Sequence, residues 1–153
     1  MKQMKLFIGS DHKGYELEHA LYLELKEKGY QIEESTLPHS ETDDYPDFAF
    51  DVASNVLHEK DSLGIILCGN GIGVSIASNK IKGIYCARVT SIEDAHHARA
   101  HNGCNMIALG GIPLQEAVEI ATTFIKTDAP NEERHLRRIN KVKEIENGDY
   151  HGL

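Results

Sequence analysis

Long apolar runs are missing from this chain. The stretch Leu6–Ile8 behind the N-terminal lysines is too short for a signal-peptide core, and nothing approaches the roughly 18 residues of a membrane span. Cysteine is scarce and odd in number, with only Cys68, Cys86 and Cys104. None of these has C-x-x-C spacing, which argues against a zinc ribbon or a thioredoxin-type redox pair. An odd set with no export signal predicts free thiols in a reducing cytoplasm. Excess positive charge is missing too. Asp and Glu total 24 against 16 Lys and Arg, a net charge of -8, which argues against general binding to nucleic acid or to anionic membrane. A small anionic ligand would need a locally basic pocket. The chain also lacks repeats, low-complexity tracts and linkers. It lacks G-x-x-x-x-G-K-[ST], because Lys80 follows Asn79, and it lacks H-E-x-x-H. ATP binding and zinc-protease chemistry lose their usual signatures.

What is present is an ordinary soluble composition, 41% hydrophobic and 26% charged over 153 residues. That length fits a single domain spanning 1–153 and can bury about 70% of its unfolded surface without staples. Apolar runs alternate with amphipathic stretches. Strands are predicted over 5–10, 30–35, 63–68, 84–89 and 105–110. Helices are predicted over 14–28, with Leu17, Leu21 and Leu25 on one face and Gly29 as the stop, and over 47–59. Further helices are predicted from near Val74, over 91–101 behind a Ser91 cap, from Pro113 to Lys126, and over about 131–147. The loop 37–46 is polar and holds two prolines. LGIILC (63–68) reads as a central strand covered on both faces. Strands alternating with helices predict right-handed βαβ units and a five-stranded, mostly parallel sheet in an α/β fold. Ligands in such sheets sit beyond the carboxyl ends of the strands. The candidate segments are therefore Ser10–Gly14, Cys68–Gly73, Val89–Ser91 and Gly110–Ile112.

The first of these, Gly9-Ser10-Asp11-His12-Lys13-Gly14, offers a carboxylate and an imidazole for hydroxyls and an anion. Asp11 could equally cap the helix and His12 could be a solvated loop residue. The third strand runs into Cys68-Gly69-Asn70-Gly71-Ile72-Gly73. Glycines let backbone N–H groups approach a ligand closely, and the following helix N-terminus adds positive potential. That field favours the thiolate of an adjacent cysteine and the same amides can hold an oxyanion. The alternative is a structural thiol beside a tight turn. The pattern is G-x-G-x-G after the third strand, which disfavours a dinucleotide site. His97 and His101 stand four apart and could share a metal, but no carboxylate has ligand spacing, so His96 and His97 read as solvated. His101 and Asn102 end a helix and could face a ligand. Arg134 and Arg138, also four apart, could grip a phosphate through their guanidinium forks, or could simply belong to a charged helix paired with Glu132, Glu133, Glu144 and Glu146.

Taken in order, GSDHKG (9–14), DYPD (44–47), CGNGIGVSIASNK (68–80), ARAHNGCN (98–105), ALGG (108–111) and RHLRR (134–138) resemble the type B ribose-5-phosphate isomerases. That family also includes the galactose-6-phosphate isomerase subunits. The resemblance runs from about residue 5 to 147. It implies a Rossmann-like three-layer αβα sandwich, working as a homodimer or tetramer with active sites at the subunit interface. It implies interconversion of ribose 5-phosphate and ribulose 5-phosphate in the non-oxidative pentose phosphate branch, with no metal and no cofactor. By position it makes Cys68 the base and His101 the ring-opening group. Asn102, Asn70 and the loop Gly69, Gly71 and Gly73 become holders of the enediolate. Asp11 and Tyr45 become sugar contacts, His12, Arg134 and Arg138 phosphate contacts, and Ser75 a further substrate-binding residue.

Three positions depart from the family pattern. Asn70 replaces a common threonine, Ile112 a common phosphate-binding arginine, and Val74 the glutamate base of another branch. Ile112 and Asn70 keep a six-carbon substrate such as allose or galactose 6-phosphate in view. A non-catalytic sugar-phosphate-binding regulator on the same fold is the alternative from another class.

Overall fold

A computed structural model describes residues 4–152. In chain order the elements are β1 (Lys5–Ser10), α1 (Tyr15–Glu27), β2 (Gln31–Glu34), α2 (Tyr45–His58), β3 (Leu63–Leu67) and α3 (Ile72–Asn79). They continue with β4 (Cys86–Arg88), α4 (Ile92–Ala100), β5 (Met106–Leu109), α5 (Leu114–Lys126) and α6 (Glu133–Asn147). The strands form one parallel sheet in the order β2-β1-β3-β5-β4.

That order and the right-handedness of crossovers fix the layers. From β1 the chain steps outward to β2, then returns across the sheet to β3 and goes on past β5 to β4 before stepping back to β5. Steps in opposite directions place their helices on opposite faces. Accordingly α1, α4 and α5 cover one face, with Leu21, Leu25, Ala95, Ala98, Ala117 and Phe124 packed on Leu6, Ile8 and Ile65. Helices α2 and α3 cover the other, with Phe48, Val52, Val56 and Val74 on Phe7, Ile66 and Met106. This is the αβα sandwich expected, and β3 is buried along its whole length.

Several element edges differ from expectation: α3 starts at Ile72 rather than near Val74, α6 at Glu133 rather than about 131, and three further differences have a local cause or consequence. Helix α2 starts at Tyr45 with Pro46 in its first turn, two residues before the expected start; proline's fixed φ suits that position. Strand β4 is cut to Cys86–Arg88 rather than 84–89. Side-chain amides do the work there: Asn105 Oδ1 accepts from Tyr85 N at 2.9 Å, and Asn79 bonds both the N–H and the C=O of Cys86 at 2.8 Å. On α1 the buried stripe is Glu18, Leu21 and Leu25, and Leu17 lies only half-buried beside it. Ser91 caps α4 as expected, its Oγ accepting from Asp94 N at 3.1 Å.

Candidate active site

Loops leaving β1 and β3 run in opposite directions, so a crevice opens between their carboxyl ends. Three close backbone approaches build it. An added Cβ on Gly14 would lie 3.0 Å from the Cα of Cys68, so the β1–α1 turn rests directly on the end of β3. An added Cβ on Gly110 would lie 2.3 Å from the Cys68 carbonyl oxygen and 2.8 Å from the amides of Asn70 and Gly71. On Gly73 it would meet the Tyr45 ring at 2.8 Å, so Tyr45 lies over the first turn of α3.

Cys68 is 6% exposed, at the floor of this crevice beside exposed Gly69 and Asn70. Its Sγ receives the N–H of Gly71 at 3.2 Å, which Gly71 can supply because it adopts φ 80°. Asn70 Oδ1 accepts from Ile72 N at 3.0 Å and lies 3.9 Å from Cys68 Sγ, so this side chain both starts α3 and adjoins the thiol. Its NH2 group has no acceptor among the described residues. The first-turn amides of Gly73 and Val74 have no backbone acceptor among the described residues. Ser75 turns away, its hydroxyl donating to Ile72 O at 2.9 Å. Cys86 and Cys104 are different: burial pushes their thiols up to about 12 and about 11, so they stay protonated.

Asp11 is buried and accepts from Gly14 N at 3.0 Å, so it closes the turn before α1; the helix N-cap is Gly14 itself, with no side-chain cap. Next to it the His12 Nδ1 meets Asp43 Oδ1 at 2.6 Å. Burial alone would raise the Asp43 carboxyl, but the His12 ring, the His12 N–H and the Ser40 N–H outweigh it and hold the group below the usual carboxylate range. Sequence reading missed Asp43, although it directly precedes the DYPD segment. It missed Arg88 as well, at the end of β4, whose Nε donates to the Asn70 carbonyl at 2.8 Å.

His101, Asn102, Arg134 and Arg138 lie elsewhere. Helix α4 runs back from the carboxyl end of β4 to the start of β5, so its C-cap His101 sits at the opposite, amino edge of the sheet. Helix α6 is tied to that edge as well, with Glu146 accepting from Gly83 N and from the Tyr85 hydroxyl. There His101, Asn102, His135 and Arg138 help line a cavity of about 520 Å³. The His101 ring stacks on His135 at 4.3 Å and on His97 at 4.6 Å. Desolvation, then the positive charge of His135, His97, Arg134 and His96, holds the His101 imidazole below its ordinary value. Exposed Arg134 pairs with Glu132 at 3.0 Å, and Arg137 with Glu133 at 3.2 Å, as a charged helix would. Glu146 takes neutral donors instead. The predicted site residues therefore fall into two separate groups at opposite edges of the sheet.

The sequence model of the family described as Ribose/Galactose Isomerase matches residues 6–142. This chain belongs to the ribose/galactose isomerase family. It is 38% identical over 146 residues to the ribose-5-phosphate isomerase B of Mycolicibacterium paratuberculosis, covering 94% of this chain and 92% of that protein. Among solved isomerases, the Clostridium thermocellum ribose-5-phosphate isomerase B is 39% identical, covers 95% of this chain and 99% of its own, and superposes with a TM-score of 0.89. The Mycoplasma genitalium ribose-5-phosphate isomerase B, solved with bound ribulose-5-phosphate, is 35% identical, with a TM-score of 0.87 and coverage of 96% and 99%.

Proposed function

We propose that this isomerase-family chain interconverts ribose 5-phosphate and ribulose 5-phosphate by proton transfer, with Cys68 as the base. The observation that carries this is the Cys68 sulfur, set at a β1/β3 crevice with a glycine amide donating to it and helix amides beside it. Isomerisation needs the sugar ring open, and a histidine that stays neutral near pH 7 can move the proton between ring oxygen and anomeric hydroxyl. His101 suits that step. The Cys68 thiolate takes the proton from C2, and the electron pair moves to the carbonyl oxygen to give an enediolate. The Asn70 amide, the Gly73 and Val74 N–H groups and Asn102 are donors for that charge, each of a kind worth about 3 kcal/mol. The O2 proton then passes to O1, and return of the carbon-bound proton from Cys68 to C1 gives the C2 ketone and completes the ketose. Asp11 and Tyr45 hold hydroxyls; His12, Arg134 and Arg138 hold the phosphate.

Because the two half-sites occupy opposite edges of one sheet, a second copy supplies His101, Asn102, Arg134 and Arg138 to the Cys68 crevice. The homodimer is the smallest assembly that meets this need, and it gives the exposed arginines a phosphate to bind. Three free cysteines suit a reducing cytoplasm, and among the described residues no helix is long and apolar enough to cross a membrane.

The test is ketose formation from ribose 5-phosphate by wild type and Cys68→Ala. The variant is expected to lose at least about a thousandfold in kcat with little change in KM, as removal of a group acting only in the transition state does. Undiminished turnover would end the assignment.

A further inference from the structure

Under α1, away from the crevice, lies a polar cluster that the isomerisation leaves unused. Glu18 occupies the buried stripe of the helix and is 0% exposed, yet neither of its carboxylate oxygens has a hydrogen-bond donor. The group it faces is the Glu34 carboxylate. Strand register explains the meeting: Glu34 pairs with Ile8, so both point to the α1 side of the sheet. Two ionised carboxylates repel, so they meet here either with a proton held on Glu18, whose carboxyl burial and then Glu34 push up to about 10, or with a cation between them. No lysine or arginine pairs with either among the described residues. The third member, His19, brings its Nδ1 to 2.9 Å from Glu34 Oε2. Glu18, His19 and Glu34 can each place one ligand atom within 4.8 Å of the other two. Ser10, one pleat beyond Ile8 on the same side, is also fully buried with an unpartnered hydroxyl.

We propose that Glu18, His19 and Glu34 form a divalent-cation site that pins α1 to the edge strand β2. The ligand set, two carboxylates and one imidazole, fits an ion of the Mn²⁺ class. His19 and Glu34 keep side-chain exposures of 41% and 20%, which gives the ion an entry path, while Glu18 supplies the buried end. The role is structural: α1 begins beside Gly14, which rests on Cys68, so the ion steadies the helix that backs the crevice.

The experiment is Mn²⁺ binding to the whole chelator-stripped protein, counted by electron paramagnetic resonance of the free ion, with melting curves in parallel. One ion per chain and a raised Tm are expected. Glu18→Gln and Glu34→Gln should each weaken binding at least tenfold and remove the Tm rise. Asp43→Asn, in the separate Asp11–His12–Asp43 cluster, should change neither. If Glu18→Gln does not fold, His19→Ala at the accessible end replaces it and should show the same loss. The proposal is overturned if no ion binds, or if binding survives in Glu18→Gln or His19→Ala. Loss in Asp43→Asn with retention in these variants would place the ion in the other cluster and overturn it too. A Tm unaffected by Mn²⁺, with Glu18→Gln melting higher than wild type, would mean that the carboxyls share a proton instead.

Discussion

A sulfur can take hydrogen from carbon only where its own negative charge is tolerated and where the charge it creates has somewhere to go. In the proposed mechanism the Gly71 N–H, which donates to Cys68 Sγ, serves the first condition and the neighbouring loop donors serve the second. Around it, individual contacts make measurable claims. Asp43 fixes the His12 ring at 2.6 Å, so Asp43→Asn should raise KM for the sugar phosphate several-fold and leave kcat nearly unchanged. The same variant has a pH signature. A carboxyl held below its ordinary value contributes stability above that value and loses it as pH falls through the folded one. The Tm gap between wild type and Asp43→Asn should therefore be widest near neutral pH and close in acid. For His101, desolvation and then nearby positive groups hold the imidazole below its ordinary value. Removing one, in Arg134→Ala, should raise the pKa read from the His101 ring by NMR; an unmoved titration would show that the arginine does not act on it. Glu18 shows why residue-scale reading stops short. Hydropathy puts leucines in cores and carboxylates outside, so nothing in the local pattern marks a glutamate as fully buried.

Elements were largely legible, because apolar periodicity, the Ser91 cap and the glycine stops act within a few residues. Their edges were less so, since the groups that cut β4 short are the side chains of Asn79 and Asn105, one of them nearly twenty residues away in sequence. The glycine loop after β3 illustrates the same divide. Its composition announces a close approach of backbone to something, but a good part of that something is the turn after β5. Gly110 leaves no room for a methyl group 2.3 Å from the Cys68 carbonyl. Gly110→Ala should cost about 3 kcal/mol, at the upper end for overpacking, and lower Tm by roughly 6–12 °C. A melting curve like wild type would show that the two loops can part freely.

At the scale of the whole molecule, the parallel sheet keeps two groups of predicted site residues apart within one chain. Cys68 stands at the carboxyl edge and His101 at the amino edge, a strand's length apart. If each site combines one edge from each of two copies, Cys68→Ala and His101→Ala are both inactive alone but complement when mixed and reassembled. In a two-fold dimer half the molecules are then mixed and each carries one intact site, so about a quarter of wild-type activity should return. No recovery would mean that both groups serve one chain. The amino-acid order by itself determined the alternation of strands and helices, the family and the chemical identity of the thiol and its glycine loop, since periodicity and motif spacing are local properties. Only the tertiary structure decided which residues share an edge, which carboxylates meet beneath α1, and that Cys68 and His101 of one chain stand at opposite edges. Those depend on strand order and crossover direction, which bring together residues that no local pattern connects.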